Sequence, residues 1–326
     1  MKHLSIVVPN GQNNLSSIVG SYKIFTRANA IWSSKGYGEL FKIELVGTSK
    51  SVDFHDGLFS VKTQKNINEI AQTDLIIIPS LNHNYEQALR ENEPLVSWLI
   101  RQYKEGSSIV SICTGAFLLA STGLVDGKTC STHWSVDAEF RQKFPQIDLK
   151  TDKLITDEDG ICTNGGAFSF LNLIIYLIEK YYDRPTAIYC AKIFQIDMDR
   201  SYQSEFRIFN GHKKHSDKEV LEAQVYLESH YQDKISIKDL SDKLHVGRRN
   251  FDRRFIKSTG ITPLEYLQRV KIEAAKKSLE NTRKNINEVM YDVGYSDSKA
   301  FRNVFSRITG ISPNEYKSKY NKESKK

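Results

Sequence analysis

The chain has 326 residues, 40% hydrophobic and 26% charged, with a net charge of +7, a length that fits about two domains with cores of their own. No run approaches the roughly 20 apolar residues that cross a bilayer, and Cys113, Cys130, Cys162 and Cys190 are scattered with no C-x-x-C. This excludes a helical membrane protein, a disulfide-stapled secreted domain and a thiolate zinc module. The charge is unevenly placed: residues 211–326 carry 25 Lys and Arg against 16 Asp and Glu, while residues 1–210 carry 21 against 23. A polyanionic partner therefore belongs to the last third.

The start, MKHLSIVVPNG, enters a strand-like run without the layout of an export signal, so the expectation is a cytoplasmic protein that does not engage a membrane. LSIVVP, FKIELVG, DLIIIP and SSIVSIC are short β-branched runs separated by helical patterns. That order predicts an α/β domain over residues 1–196, a flavodoxin-like, largely parallel sheet flanked by helices, with its sites at the carboxyl ends of the strands. Cys113 stands at such an end. Strand, Cys113-Thr114-Gly115, then helix is a layout that aims a side chain into the crevice beside a helix N-terminus, and predicts a thiol of lowered pKa. Cys130, Cys162 and Cys190 read as small buried apolar residues.

Further on, Asp157, Glu158 and Asp159 before Gly160 read as a solvated hairpin tip. TNGGAFSF, residues 163–170, is either a plain strand-to-helix turn or a source of N–H groups for an anion, with Asn164 and Gly165 at its centre. FLNLIIYLIEKYY fits packing against the sheet or a subunit interface. The pattern loosens from residue 197 to 217, read as a linker. His212 and His215 there have no Cys or second pair beside them, so no metal and no cofactor are expected.

The last third repeats itself. FDRRFIKSTGITPLEY, 251–266, recurs as FRNVFSRITGISPNEY, 301–316, at an offset of 50, and ISIKDLSDKLHVG matches KNINEVMYDVGYS at an offset of 49. One supersecondary unit therefore occurs twice. Each reads as two helices joined by a tight turn, with Phe251/Phe255 and Phe301/Phe305 facing inward at i, i+4. Gly260 and Gly310 should end helices, Thr262 and Ser312 should cap the next ones, and Pro263 and Pro313 suit the first turn. An amphipathic helix from Pro263 to about Asn281 separates the units. The prediction is an all-α domain, 218–320, with two helix-turn-helix modules and a basic tail, 321–326. The second helix of such a module enters the major groove, so the candidate DNA contacts are Arg248, Arg249, Asp252 and Arg253 on one half-site and Ser298, Lys299, Arg302 and Asn303 on the next. Arg suits guanine and Asn adenine; Asp252 could accept from a cytosine amino group or pair with an arginine.

Residues 218–320 resemble the DNA-binding domain of the AraC/XylS family of transcription regulators, on VGYSDSKAFRNVFSRITGISPNEY and STGITPLEY. The first part resembles the class I glutamine-amidotransferase-like fold in its ThiJ/PfpI branch, specifically regulators in which that domain precedes an AraC-type reader. The motifs are SICTGAFLLASTGLVDGKTCSTHW (111–134), CTNGGAFSFLNLIIYLIE (162–179) and MDRSYQSEF (198–206). An enzyme of that superfamily needs a thiolate, a proton-handling partner and an oxyanion hole. Here Thr114 follows the cysteine where PfpI-like proteases have histidine, PNGQNNLSS offers no carboxylate after the first strand, and PSLNHN replaces the usual glycine pair. His133, in STHW, is the remaining partner for Cys113.

Two readings carry a sensing or catalytic role, beside a plainer third, a constitutive DNA-binding protein whose first domain only dimerises. In one, the protein is a cytoplasmic, nucleoid-associated regulator, an activator by resemblance: it binds double-stranded promoter DNA and RNA polymerase, forms a homodimer, and senses a small-molecule effector in a pocket of Cys113, Thr114, Gly115, His133, Asn164 and Gly165. In the other, Cys113 and His133 serve a hydrolase, hydratase or glyoxalase with a DNA-binding tail.

Overall fold

Period-two alternation sorts the first domain into layers. In the computed structural model, which describes residues 1–11, 13–82, 84–198, 202–213 and 215–321, Leu4, Ile6, Leu75, Ile77, Val110 and Ile112 pack in one apolar cluster. Their chain neighbours Val7, Ile76, Ile78 and Ile109 pack in a second, on the other side of the sheet. Strands buried on both faces read as near-continuous apolar runs, as DLIIIP and SSIVSIC do, whereas Phe41–Gly47 keeps Lys42 exposed.

The sheet has seven strands in the order Ile155–Glu158, Ile161–Asn164, Ser108–Ile112, Leu75–Ile78, Lys2–Val7, Phe41–Gly47, Lys65–Asn66. Neighbours run parallel except the first pair, a hairpin turned through Asp159 and Gly160 at φ 50° and 76°. Helices Leu15–Ser34, Phe170–Tyr181 and Arg184–Phe194 cover one face, and Tyr85–Glu91, Glu93–Lys104, Ala116–Ala120 and Asp137–Lys143 the other. The Phe170–Tyr181 helix thus takes the sheet-packing role, burying Leu173, Ile174, Ile175, Leu177 and Ile178. Asp157 is exposed, as a hairpin tip should be, and is also tied: its carboxylate accepts from Tyr176 Oη at 2.5 Å and Lys180 Nζ at 2.6 Å.

The chain divides into two compact units between Gln203 and Ser204. Among its described residues the regular elements of the second are all helices, the α-helices being Lys218–Ser229, Ile237–Lys243, Arg248–Thr259, Pro263–Asn281, Ile286–Asp292, Ser298–Thr309 and Pro313–Tyr320. The repeat survives as a repeated core. The Phe255 ring lies 5.6 Å from Phe251 and 5.3 Å from Tyr266, and the Phe305 ring 5.8 Å from Phe301 and 5.6 Å from Tyr316. Thr262 and Ser312 cap by accepting from Glu265 N and Glu315 N, both at 3.2 Å. Gly260 and Gly310 close the preceding helices at φ 78° and 81°.

Within the stretch read as a linker, residues 204–211 are fastened to the helical unit. Glu205 pairs with Lys319 at 2.8 Å, Lys276 Nζ donates to the Arg207 carbonyl at 2.6 Å, and the Phe209 ring lies 5.0 Å from that of Tyr266. Tyr266 Oη and Gln224 Nε2 both donate to the Gly211 carbonyl, at 3.1 and 2.5 Å. Of the basic tail, Asn321 is buried, donating to the carbonyls of Leu279 and Thr282; residues 322–326 lie outside the described residues, as do 199–201 of the MDRSYQSEF motif.

Candidate functional site

The two second helices of the repeat present the predicted faces. With Phe251 and Phe255 inward, Arg248, Arg249 and Arg253 are exposed; with Phe301 and Phe305 inward, so are Ser298, Lys299, Arg302 and Asn303. Asp252 is half-buried and its Oδ2 accepts from Arg248 Nε at 2.9 Å. Arg253 donates to Asn250 Oδ1 at 2.9 Å, and Arg302 Nε to Ser298 Oγ at 3.3 Å. Asn250 is an exposed amide on the same helix that sequence reasoning missed. A guanidinium can give two N–H groups to guanine and an amide can bridge adenine, so both faces carry base-reading chemistry with cations left for phosphate.

Arg254, inside the same basic run, does something else. It donates to Asp217 at 2.9 and 2.7 Å and also to Glu219, locking the helix that Asp217 caps onto the Arg248–Thr259 helix. The Arg254 guanidinium holds the Asp217 carboxyl below its usual range.

The two modules meet at one buried cation. Lys271, on the connecting helix, is 7% exposed, and its Nζ donates to the Gly294 carbonyl of the second module at 3.2 Å and to the Asp233 carbonyl of the first at 3.5 Å. Burial pushes its pKa down. Tyr231 packs on both cores.

In the first domain Cys113 sits directly after strand Ser108–Ile112 at φ 53°, a left-handed turn that a non-glycine residue holds only under constraint. Thr132 Oγ1 donates to its carbonyl at 2.9 Å. Thr114 Oγ1 donates to the Leu81 carbonyl at 2.5 Å and shares a hydrogen bond with Ser80 Oγ at 2.8 Å. A Cβ on Gly115 would stand 2.5 Å from the Pro79 carbonyl oxygen, so the turn is pressed against the neighbouring strand end.

The thiol corrects the expectation. Cys113 is 4% exposed, and burial pushes its pKa up despite Ser80 and the N–H groups of Thr114 and Gly166 beside the sulfur. Stabilisation of a thiolate by a few dipoles does not recover what desolvation costs it. His133 Nδ1 is engaged with Ser135 Oγ at 2.7 Å and Ser135 N at 3.2 Å, its ring is tilted over Trp134, and burial lowers its pKa. Cys130 and Cys162 are pushed up to about 12 and Cys190 to about 11 by burial.

The glycine turn beside Cys113 is also occupied from within. Gly165 N donates to the Leu154 carbonyl at 2.8 Å, so that N–H is not held out for an anion. Asn164 Nδ2 donates to the same carbonyl at 3.0 Å, while its buried Oδ1 has no partner among the described residues. Gln203, which sequence reasoning missed, lies directly over Gly165. Two surface hollows, of about 470 and 330 Å³, lie elsewhere, along Ile188–Met198 and beside Leu89 and Val96. Among the described residues no group of three or more His, Cys, Asp and Glu could hold a metal ion, and no helix is long and apolar enough to cross a membrane.

Comparison with known proteins agrees with both halves. Residues 23–179 match the DJ-1/PfpI family and residues 240–319 a helix-turn-helix domain. The transcriptional regulator GbdR of Pseudomonas aeruginosa is 26% identical over 221 residues, covering 68% of this chain and 60% of its own; this chain thus spans less than two thirds of that relative. CdhR, a regulator from the same organism, is 22% identical over 257 residues, 78% of this chain and 75% of its own. YisR of Bacillus subtilis, an uncharacterized HTH-type regulator, is 38% identical over 96 residues, 29% of this chain and 33% of its own. Among solved structures, a ThiJ/PfpI family protein from Pseudomonas syringae superposes with a TM-score of 0.51 at 17% identity, covering 74% of this chain and 90% of its own. An AraC family regulator from Pseudomonas putida does so with 0.50 at 14%, covering 60% and 100%. The chain therefore joins an α/β domain of the DJ-1/PfpI family to a helix-turn-helix domain of the AraC type.

Proposed function

We propose that the protein is a sequence-specific DNA-binding transcription regulator, working in the cytoplasm on the nucleoid, whose first domain senses a small molecule. The observation that carries the reading is the doubled reader helix: the same buried Phe pair leaves Arg248, Arg249 and Arg253 on one face and Ser298, Lys299, Arg302 and Asn303 on the other. Two such helices suit two half-sites on double-stranded DNA, and the basic balance of the last third supplies phosphate attraction. The regulator names of its relatives support the same reading.

Activation through RNA polymerase and assembly as a homodimer belong to this proposal, as does an effector bound around Cys113, Thr114, Gly115, His133, Asn164 and Gly165. An effector acts here only by binding two arrangements of the protein unequally. The raised thiol pKa and the Ser135-bound His133 favour a pocket wall over a nucleophile at Cys113. The test is selection of duplexes from a random-sequence pool. A recovered consensus with two half-sites about one helical turn apart supports the proposal; recovery of unrelated sequences with equal affinity overturns it.

A further inference from the structure

Gln203 is the last residue of the first unit, and it is 1% exposed. Its backbone N–H donates to the Asp152 carbonyl at 3.0 Å. Its side-chain Nε2 donates to the carbonyls of Thr132 at 2.9 Å and Lys153 at 3.3 Å, and to Ser131 Oγ at 3.4 Å. Thr132 is the residue whose hydroxyl holds the Cys113 carbonyl. The amide thus sits two hydrogen bonds from the strained cysteine turn. Its Oε1 is buried without a partner among the described residues. An amide placed in a closed site with only half its capacity met is held less firmly than a fully satisfied one.

The next residue, Ser204, begins the segment fastened to the reader. Its Cβ lies 3.6 Å from where a Cβ on Gly310 would stand, at the C-terminal end of the second reader helix. Glu205 pairs with Lys319, Lys276 holds the Arg207 carbonyl, and Phe209 N donates to Glu273 Oε2 at 3.3 Å. One peptide bond separates a side chain buried beside the Cys113 turn from a strap clamped to the second module.

We propose that Gln203 is a latch that couples occupancy of the Cys113 region to the hold of the strap on the second reader helix. Docked, it fixes the strap's first residue; evicted, it frees Ser204 to leave Gly310 and loosens the helix end. This rests on the regulator reading above for its consequence on DNA, but not for its consequence on the strap.

Gly165 offers the eviction without a ligand. Its φ is not in the left-handed region, yet a Cβ there would stand 1.8 Å from Gln203 Nε2, 2.6 Å from Gln203 Cδ and 2.8 Å from Ser131 Oγ. The full-length Gly165→Ala protein is compared with wild type by hydrogen exchange and by affinity for the duplex that wild type selects from a random pool. The latch predicts about tenfold faster exchange at Arg207 N and Phe209 N with the sheet strands unchanged, and DNA affinity lowered about five-fold or more. Gln203→Ala should do the same without any clash, and the double variant should add nothing further. Unchanged strap exchange in Gln203→Ala overturns the latch. Faster exchange with unchanged affinity overturns its coupling to DNA reading. If wild type selects no duplex, the regulator reading fails, and the strap exchange still decides whether Gln203 is a latch.

Discussion

Replacing Gly294 by alanine tests how the two helix-turn-helix modules are joined. Gly294 turns the second module at φ +75°, and the position equivalent to it in the first module is His245, at φ +54°. A side chain in that conformation costs about 1–2 kcal/mol. The first module tolerates it, because His245 is exposed. At Gly294 a Cβ would stand 2.2 Å from the Gln232 carbonyl oxygen, 2.8 Å from its carbon and 2.6 Å from Lys271 Nζ. Backbone has to move, and overpacking of that kind costs about 1–3 kcal/mol more. Gly294→Ala should therefore destabilise the second module by about 2–5 kcal/mol, whereas His245→Gly should stay within about 1 kcal/mol of wild type. Segment-resolved hydrogen exchange of the full chain, read over residues 286–309, measures the opening free energy directly. A Gly294→Ala protein within about 0.5 kcal/mol of wild type would show that the Gln232 contact does not set the seam.

Arg253→Ala should weaken binding to a selected duplex by about 1–3 kcal/mol and relax one base position; equal losses on selected and random duplexes, measured by anisotropy, refute base reading. Phe255→Ala and Phe305→Ala should each cost about 3–5 kcal/mol, since both rings are fully buried in matched cores, and chemical denaturation followed by exchange in each module separates them. In the native protein Cys113 should alkylate slowly, its rate rising only above the ordinary thiol range because burial raises the pKa; an inflection near neutral pH, absent in Cys113→Ser, contradicts this. Asp217 has its folded pKa held below the reference value of 3.8. Its stabilisation is present above that value and is lost as pH falls through the folded pKa. Acid unfolding of the helical unit should lose that component in Asp217→Asn, and an unaltered acid limb argues against it.

What the sequence shows and hides follows from how far apart the partners lie. Phe251 and Phe255, Thr262 with Glu265, and Pro263 are local devices repeated near residue 301, so spacing alone reveals both modules. Strands such as Leu75–Ile78 announce themselves because both faces are buried. Cys113 misleads for the opposite reason. Its turn has the local form of an activated thiol, but the burial that reverses the pKa comes from chain remote in sequence. Gly165 N likewise finds its acceptor in Leu154, across the hairpin. The strap is hidden because two of its anchors are backbone carbonyls, at Arg207 and Gly211, and a carbonyl has no sequence signature.

The fastened segment also fixes where this protein can be cut. A reader fragment begun at residue 218, where the first regular helix starts, would strip Phe209 from the Tyr266 ring and remove the carbonyls that Tyr266, Gln224 and Lys276 now share. Lys276 is 4% exposed, so its buried ammonium would be left with Glu273 and the face of the Tyr316 ring. A fragment begun at Ser204 keeps every one of these groups satisfied, and is the one to express for binding and crystallisation.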